Sequence, residues 1–306
     1  MPKLLPKLLT VEREKLNLFN LILPGCDRGF ETRIEPGARV KLGEIDPAWH
    51  GEYDSPEAAW PRMRYLSQRL DYLQYLMYAE RQHSLLIVLQ GLDASGKDGV
   101  IRHLLHSMNP MGCRLVAFKQ PKPDERDHDF LWRIHPHLPG KGEISIFNRS
   151  HYEDVLVVRV HQIAAADFWS KRYAMINDFE TLTMVENNTT ILKFFLHISK
   201  KEQLARFKQR LDDPSRQWKI SEADYHERTY WEDYMKAFED MLQRTSTACA
   251  PWYVIPSNHK WFRDIAVSEI VCRTLEDLNM KWPDPVVDLS EIRRRFHRAE
   301  AEDGDA

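Results

Sequence analysis

None of the four cysteines, Cys26, Cys113, Cys249 and Cys272, stands in a CxxC pair, so a zinc knuckle or dithiol reading is excluded and reduced thiols remain. No apolar run approaches the ~18 residues of a membrane span. The opening MPKLLPKLLT is interrupted by Lys3, Pro6 and Lys7 and makes a poor secretory leader. These absences point to a reducing cytoplasm and to no membrane partner. Net charge is nearly absent as well. The 43 Lys and Arg residues stand against 46 Asp and Glu, a balance of −3, so the chain is no nucleic-acid-binding polycation. Any anion site must come from local clustering. There is no internal repeat.

What is present is ordinary globular material. The 306 residues are 43% hydrophobic and 29% charged, enough to bury a core without metal or disulfide. Residues 1–60, with Pro24-Gly25, Pro36-Gly37 and Pro47, read as an N-terminal extension of loops and short elements. From Pro61 the pattern sharpens. Met63, Leu66, Leu70, Leu73 and Met77 mark one face of a helix. The continuous apolar run 84–90 suits a parallel strand buried on both faces. Further strands are expected at 114–118, 143–147, 190–198 and 252–255. Helices are expected near 168–184, 200–211, 222–246 and 262–278. Strands alternating with helices predict a three-layer α/β/α architecture around a parallel sheet. Residues 61–282 form its main domain. Residues 283–306 form a tail whose acidic end (Glu300, Glu302, Asp303, Asp305) reads as disordered.

Between the first strand and its helix lies Gly91-Leu-Asp93-Ala94-Ser95-Gly96-Lys97-Asp98-Gly99, a G-x4-G-K phosphate loop in its required strand–loop–helix setting. Its glycines let backbone N–H groups turn toward a phosphate, and the helix start adds unpaired amides and its dipole. Lys97 adds a fixed positive charge. Position 98 is Asp where a Ser or Thr usually ligates Mg²⁺, and Asp93 places a carboxylate within the loop. An acid beside phosphates is repulsive unless a cation intervenes, so Asp93 reads as a Mg²⁺ ligand. Asp98 reads equally as part of the site or as a helix-start acid favoured by the dipole.

A second signature, Asn148-Arg149-Ser150-His151-Tyr152-Glu153, follows the 143–147 strand. Carboxyl ends of strands line the ligand crevice of open α/β sheets. Arg149 is placed to neutralise phosphoryl charge. Glu153 could contact metal, water or acceptor, or simply make a salt bridge. His151 is either a phosphorylated nucleophile or, as histidines more often are, an orienting side chain. Lys119 and Lys122 lie in an extended, proline-bearing segment that could line an anion entry. Residues 200–219 carry seven Lys and Arg against three acids, a local net of +4, and Arg206 and Arg210 share one helix face. Such a helix can act as a lid closing over phosphates. His135 and His137 find no further ligands at useful spacing.

Three stretches together resemble the polyphosphate kinase 2 family: GLDASGKDG at 91–99, FNRSHYEDVLVVRVH at 147–161, and SKKEQLARFKQRLDDPSRQWKIS at 199–221. HDFLWRIHPHLP at 128–139 and APWYVIPSNHKW at 250–261 extend the resemblance across about residues 60–282. It implies a P-loop kinase fold similar to thymidylate kinase, with a helical lid at about 200–225. It implies Mg²⁺-dependent transfer of the terminal phosphoryl group of inorganic polyphosphate to a nucleotide, by a cytoplasmic homo-oligomer, dimer or tetramer. By motif match, Asp93 and Lys97 are the loop acid and lysine, Arg149 belongs to the second motif, and Arg206 and Arg210 belong to the lid. Asn148, His151 and Glu153 are similar to the class III subgroup, which phosphorylates both AMP and ADP. Guanine nucleotides stay open, because base contacts have no short motif. The alternative on the same loop is an ATP-dependent nucleoside monophosphate or small-molecule kinase.

Overall fold

The computed structural model describes residues 33–304. Most of the expected extension 1–60 therefore lies outside the described residues, as does Cys26. Cys113, Cys249 and Cys272 are free thiols.

Strand β2 (Ser84–Gln90) is buried along its whole length. A strand with no polar face needs parallel neighbours and covered faces on both sides. It has them. β4 (Ile144–Asn148) and β5 (Thr189–His197) flank it in parallel. The sheet order is β1-β6-β5-β2-β4-β3, with β3 at Cys113–Ala117, β6 at Trp252–Pro256 and the short β1 at Arg33–Ile34. Among the described residues only β1, paired to β6, runs antiparallel. The register sets Leu89 of β2 against Asn148 of β4, so the loops leaving both strands emerge side by side.

Helix α1 (Pro56–Glu80) starts five residues before the expected Pro61. Ser55 caps it, its Oγ accepting the Ala58 N–H at 3.2 Å, and Pro56 occupies the first position, where no N–H is needed. Pro61 lies inside. Helix α2 (Lys97–His106) follows the glycine loop, and α3 (Glu153–Val160) follows the second signature. The helix expected at 168–184 is a short turn at Ala166–Trp169 and then α4 (Arg172–Asn187). Helix α5 is Lys200–Asp212. The expected 222–246 helix breaks at Tyr230 into α6 (Glu222–Thr229) and α7 (Trp231–Thr245). Helix α8 is Lys260–Asp277. The tail corrects an expectation. Residues Leu289–Gly304 form helix α9, in which Glu291 pairs with Arg294 and Arg295 one turn on.

The core between the sheet and α3, α4 and α7 includes Val88, Phe147, Tyr152, Phe195, Phe238 and Trp252. A charged group is sealed within it. Lys193 Nζ donates to Glu180 Oε2 at 2.6 Å, to Tyr152 Oη at 3.0 Å and to the Thr245 carbonyl at 2.7 Å. Tyr152 Oη donates to Glu180 Oε1 at 2.7 Å. His151, fully buried, faces the same carboxylate at 3.4 Å. The orienting reading of His151 therefore describes its surroundings, and the nucleophile reading does not. No helix among the described residues is long and apolar enough to cross a membrane.

Candidate active site

The loop after β2 curls because three of its residues take positive φ: Gly91 (147°), Ala94 (64°) and Gly96 (110°). Gly96 has a second constraint. A Cβ there would fall 1.9 Å from the Arg263 guanidinium, which lies flush beneath the start of α2. A Cβ on Gly99, in the first turn, would meet the same side chain at 2.7 Å, so any larger residue there must displace Arg263. Lys97 folds back over the loop, donating to Gly91 O at 2.6 Å and Leu92 O at 3.2 Å. Burial, and then Arg149, push its ammonium down to about 8.

Arg149 has a left-handed backbone (φ 63°), an unfavourable state for any residue with a Cβ, held where β4 ends. Its N–H is tied to Leu89 O at 3.1 Å, across the strand pair. The guanidinium stands between two acids, 2.7 Å from Asp93 Oδ1 and 3.6 Å from Glu153 Oε2. Burial acts to raise the Asp93 carboxyl, but the charges of Lys97 and Arg149, with a smaller share from Arg210, outweigh it, and the group lies below its ordinary value. Glu153 goes the other way. Burial raises its carboxyl more than Arg149 and Lys97 lower it. Two acids beside one arginine thus differ in proton affinity, set by environment.

Asn148 Nδ2 donates to Asp98 Oδ1 at 3.0 Å, and Lys219 lies 3.7 Å from the other Asp98 oxygen. Arg210 donates to Lys219 O at 3.3 Å and faces Asp224 at 3.8 Å, bracing the 213–221 segment. Arg206 departs from the expected phosphate contact. It is 5% exposed, and its five N–H groups are all taken by protein oxygens behind the loop. Helix α5 turns this face inward because Phe207 and Gln203 are buried with it.

A cavity of about 850 Å³ opens from Gly91, Asp93, Arg149 and Glu153. Lys119 lines it and Lys122 does not. Sequence reasoning missed most of its wall. Arg172 is clasped between the Phe130 and Phe168 rings at 4.7 and 4.8 Å and donates to Asp154 at 3.0 Å. Arg133 lies over Phe118 and pairs with Glu125 at 3.2 Å. Tyr234 Oη donates to Glu227 at 2.8 Å beside His161. Of these residues, Phe130 and Arg133 fall in the stretch 128–139 and Asp154 and His161 in the stretch 147–161, but their roles showed in neither. A cavity with cationic and aromatic walls joined to a phosphate loop accommodates a ligand that is anionic at one end and flat and apolar at the other.

Comparison with known proteins agrees with this geometry. The family model described as polyphosphate kinase 2 matches residues 55–283. The AMP/ADP-polyphosphate phosphotransferase of Meiothermus ruber is 47% identical over 254 residues, covering 83% of this chain and 95% of that protein. The ADP-polyphosphate phosphotransferase of Rhodopseudomonas palustris is 43% identical, covering 83% and 92%. The crystal structure of polyphosphate kinase 2 from Arthrobacter aurescens is 40% identical and superposes with a TM-score of 0.84 over 87% of this chain and 95% of that one.

Proposed function

The chain belongs to the polyphosphate kinase 2 family and is a polyphosphate-dependent nucleotide phosphotransferase; we propose that it passes the terminal phosphoryl group of polyphosphate to both AMP and ADP, with Mg²⁺. The observation that carries this reading is the chain Asp93–Arg149–Glu153, which joins the phosphate loop to the cavity mouth within 2.7 and 3.6 Å. Donor phosphates occupy the loop under Lys97, and the nucleotide occupies the cavity with its phosphate toward Arg149.

An acceptor phosphate already carries anionic oxygen at neutral pH, so no strong base is required. What the reaction needs is alignment and neutralisation of the charge that spreads over the transferred group. Lys97 and Arg149 supply positive charge from two sides. Glu153 holds Arg149 in place at 3.6 Å.

Among the described residues no cluster of three or more His, Cys, Asp or Glu side chains could hold a metal unaided. That suits Mg²⁺, which takes one or two carboxylates and completes its shell from substrate phosphates and water. Asp93, kept ionised by its neighbours, is the carboxylate to hold it. When bound there, Mg²⁺ would supply positive charge to offset that of the phosphates.

The relatives' names divide over AMP, so the acceptor range is the point to test. Purified protein with Mg²⁺, long-chain polyphosphate and AMP as sole nucleotide is expected to yield ADP and then ATP, resolved by ion-exchange chromatography. ATP from ADP with nothing from AMP would retire the dual range. Activity with ATP as donor and none with polyphosphate would retire the donor.

A further inference from the structure

The phosphate loop is held from behind by its carbonyls. Gln203 Nε2, on α5, donates to Asp93 O at 3.0 Å. One turn on, Arg206 Nη1 donates to Ala94 O at 2.8 Å and to Ser95 O at 2.9 Å. Its Nη2 donates to Ser257 O and, at 3.1 Å, to Asn258 O, just past the end of β6. Its Nε donates to Glu202 at 2.8 Å. Five donors meet five acceptors, which is the full capacity of a guanidinium. None is left for a substrate oxygen.

Capturing a carbonyl also aims an amide. In a planar trans peptide the C=O of one residue and the N–H of the next point in opposite directions. Holding Asp93 O toward α5 turns the Ala94 N–H away from it. Holding Ser95 O does the same to the Gly96 N–H. Holding Ala94 O directs the Ser95 N–H into the loop, where it closes on Leu92 O at 3.0 Å. Ala94 is not glycine, and its φ of 64° is costly by about 1 kcal/mol. The loop therefore needs an outside support to keep this shape, and α5 gives it three bonds.

We propose that Arg206, assisted by Gln203, is a positioning residue that aims the loop amides at the polyphosphate donor and acts on the donor only through that backbone. This rests on the donor reading given above. It assigns Gln203 and Arg206 to the loop and leaves Arg210 to brace the 213–221 segment through Lys219 O and Asp224.

The test compares Arg206→Met and Arg206→Lys with wild type, using tripolyphosphate binding and AMP binding by calorimetry, steady-state KM for donor and acceptor, and thermal unfolding. Arg206→Met is expected to weaken tripolyphosphate about tenfold or more while AMP affinity stays within about twofold. Arg206→Lys, which can still reach two carbonyls, is expected to fall between. Gln203→Met, which removes no charge, is expected to weaken tripolyphosphate by about threefold, and this carries the test if Arg206→Met does not fold. Unchanged tripolyphosphate affinity in the folded Arg206→Met protein, or in Gln203→Met if it does not fold, would overturn the proposal. So would an equal loss for AMP and tripolyphosphate. Wild type that binds tripolyphosphate in an Arg206-dependent way yet transfers nothing would retire the phosphotransfer reading and leave the positioning role standing.

Discussion

Lys97 is buried against the loop with its ammonium pushed down to about 8, so its charge is present below that pH and lost above it. If that charge holds the donor, kcat/KM for polyphosphate is expected to fall as pH rises past 8, approaching about tenfold per unit, while acceptor KM moves less. Bound polyanion favours the charged form, so the fall shifts to higher pH in kcat than in kcat/KM. Lys97→Met is expected to lower turnover by about 10² or more and to remove that alkaline limb; steady-state profiles from pH 6.5 to 9.5 (about the range where the charge changes) decide it. The buried Lys193–Glu180 pair gives a second expectation at this scale. Lys193→Met leaves Glu180 uncompensated and is expected to cost about 3–5 kcal/mol, whereas Lys193→Met with Glu180→Leu recovers much of it; urea unfolding measures both. Loop and second motif were legible because each is a contiguous run whose chemistry shows in its residue types. Arg206 was misread for a physical reason. A helix with arginines at i and i+4 shows that they share a face, not whether that face looks at solvent or at a row of carbonyls.

Helix boundaries depended on residues that the periodicity does not register. Proline at 61 suggested a beginning, yet Ser55 and Pro56 start α1 five residues earlier, and Pro61 is exposed in its second turn without an N–H to donate to the Glu57 carbonyl. Restoring that bond with Pro61→Ala is expected to stabilise the protein by about 1 kcal/mol, and Ser55→Ala to destabilise it by about the same. Differential scanning calorimetry checks both, with phosphotransfer unchanged, since neither residue lines the cavity. The break at Tyr230 was illegible for a related reason. Helix α6 ends where His226 and Tyr230 pack edge to face, and α7 begins at once with Trp231 buried, so the apolar rhythm runs across the interruption. Strand assignments fared better, because β2 and β5 are buried almost throughout and a largely apolar run of that length suits a covered parallel strand.

Across the whole molecule, alternation was enough to foresee a parallel sheet, but not its order. Chain order does not reveal that β2 sits between β4 and β5, since both pairings join segments far apart in sequence. The cavity wall was hidden for the same reason, its residues coming from separate stretches between Phe118 and Phe238 that only the sheet brings together. Helix α9 offers the reverse case, an ordered element that the fold does not use. It lies beyond the family match at 55–283, and its apolar side chains Leu289, Ile292 and Phe296 are exposed. Its internal pairs, Glu291 with Arg294 and Arg295, are exposed ion pairs of small worth. A helix that buries no core surface contributes little to unfolding free energy, whatever its own order. Ending the chain after Pro285 is therefore expected to leave the thermal midpoint within about 1–2 °C and kcat for ADP within about twofold. A larger loss of stability would mean that α9 shields apolar surface of the main domain, and a loss of turnover alone would place its exposed Ile292–Phe296 face in contact with the reacting assembly.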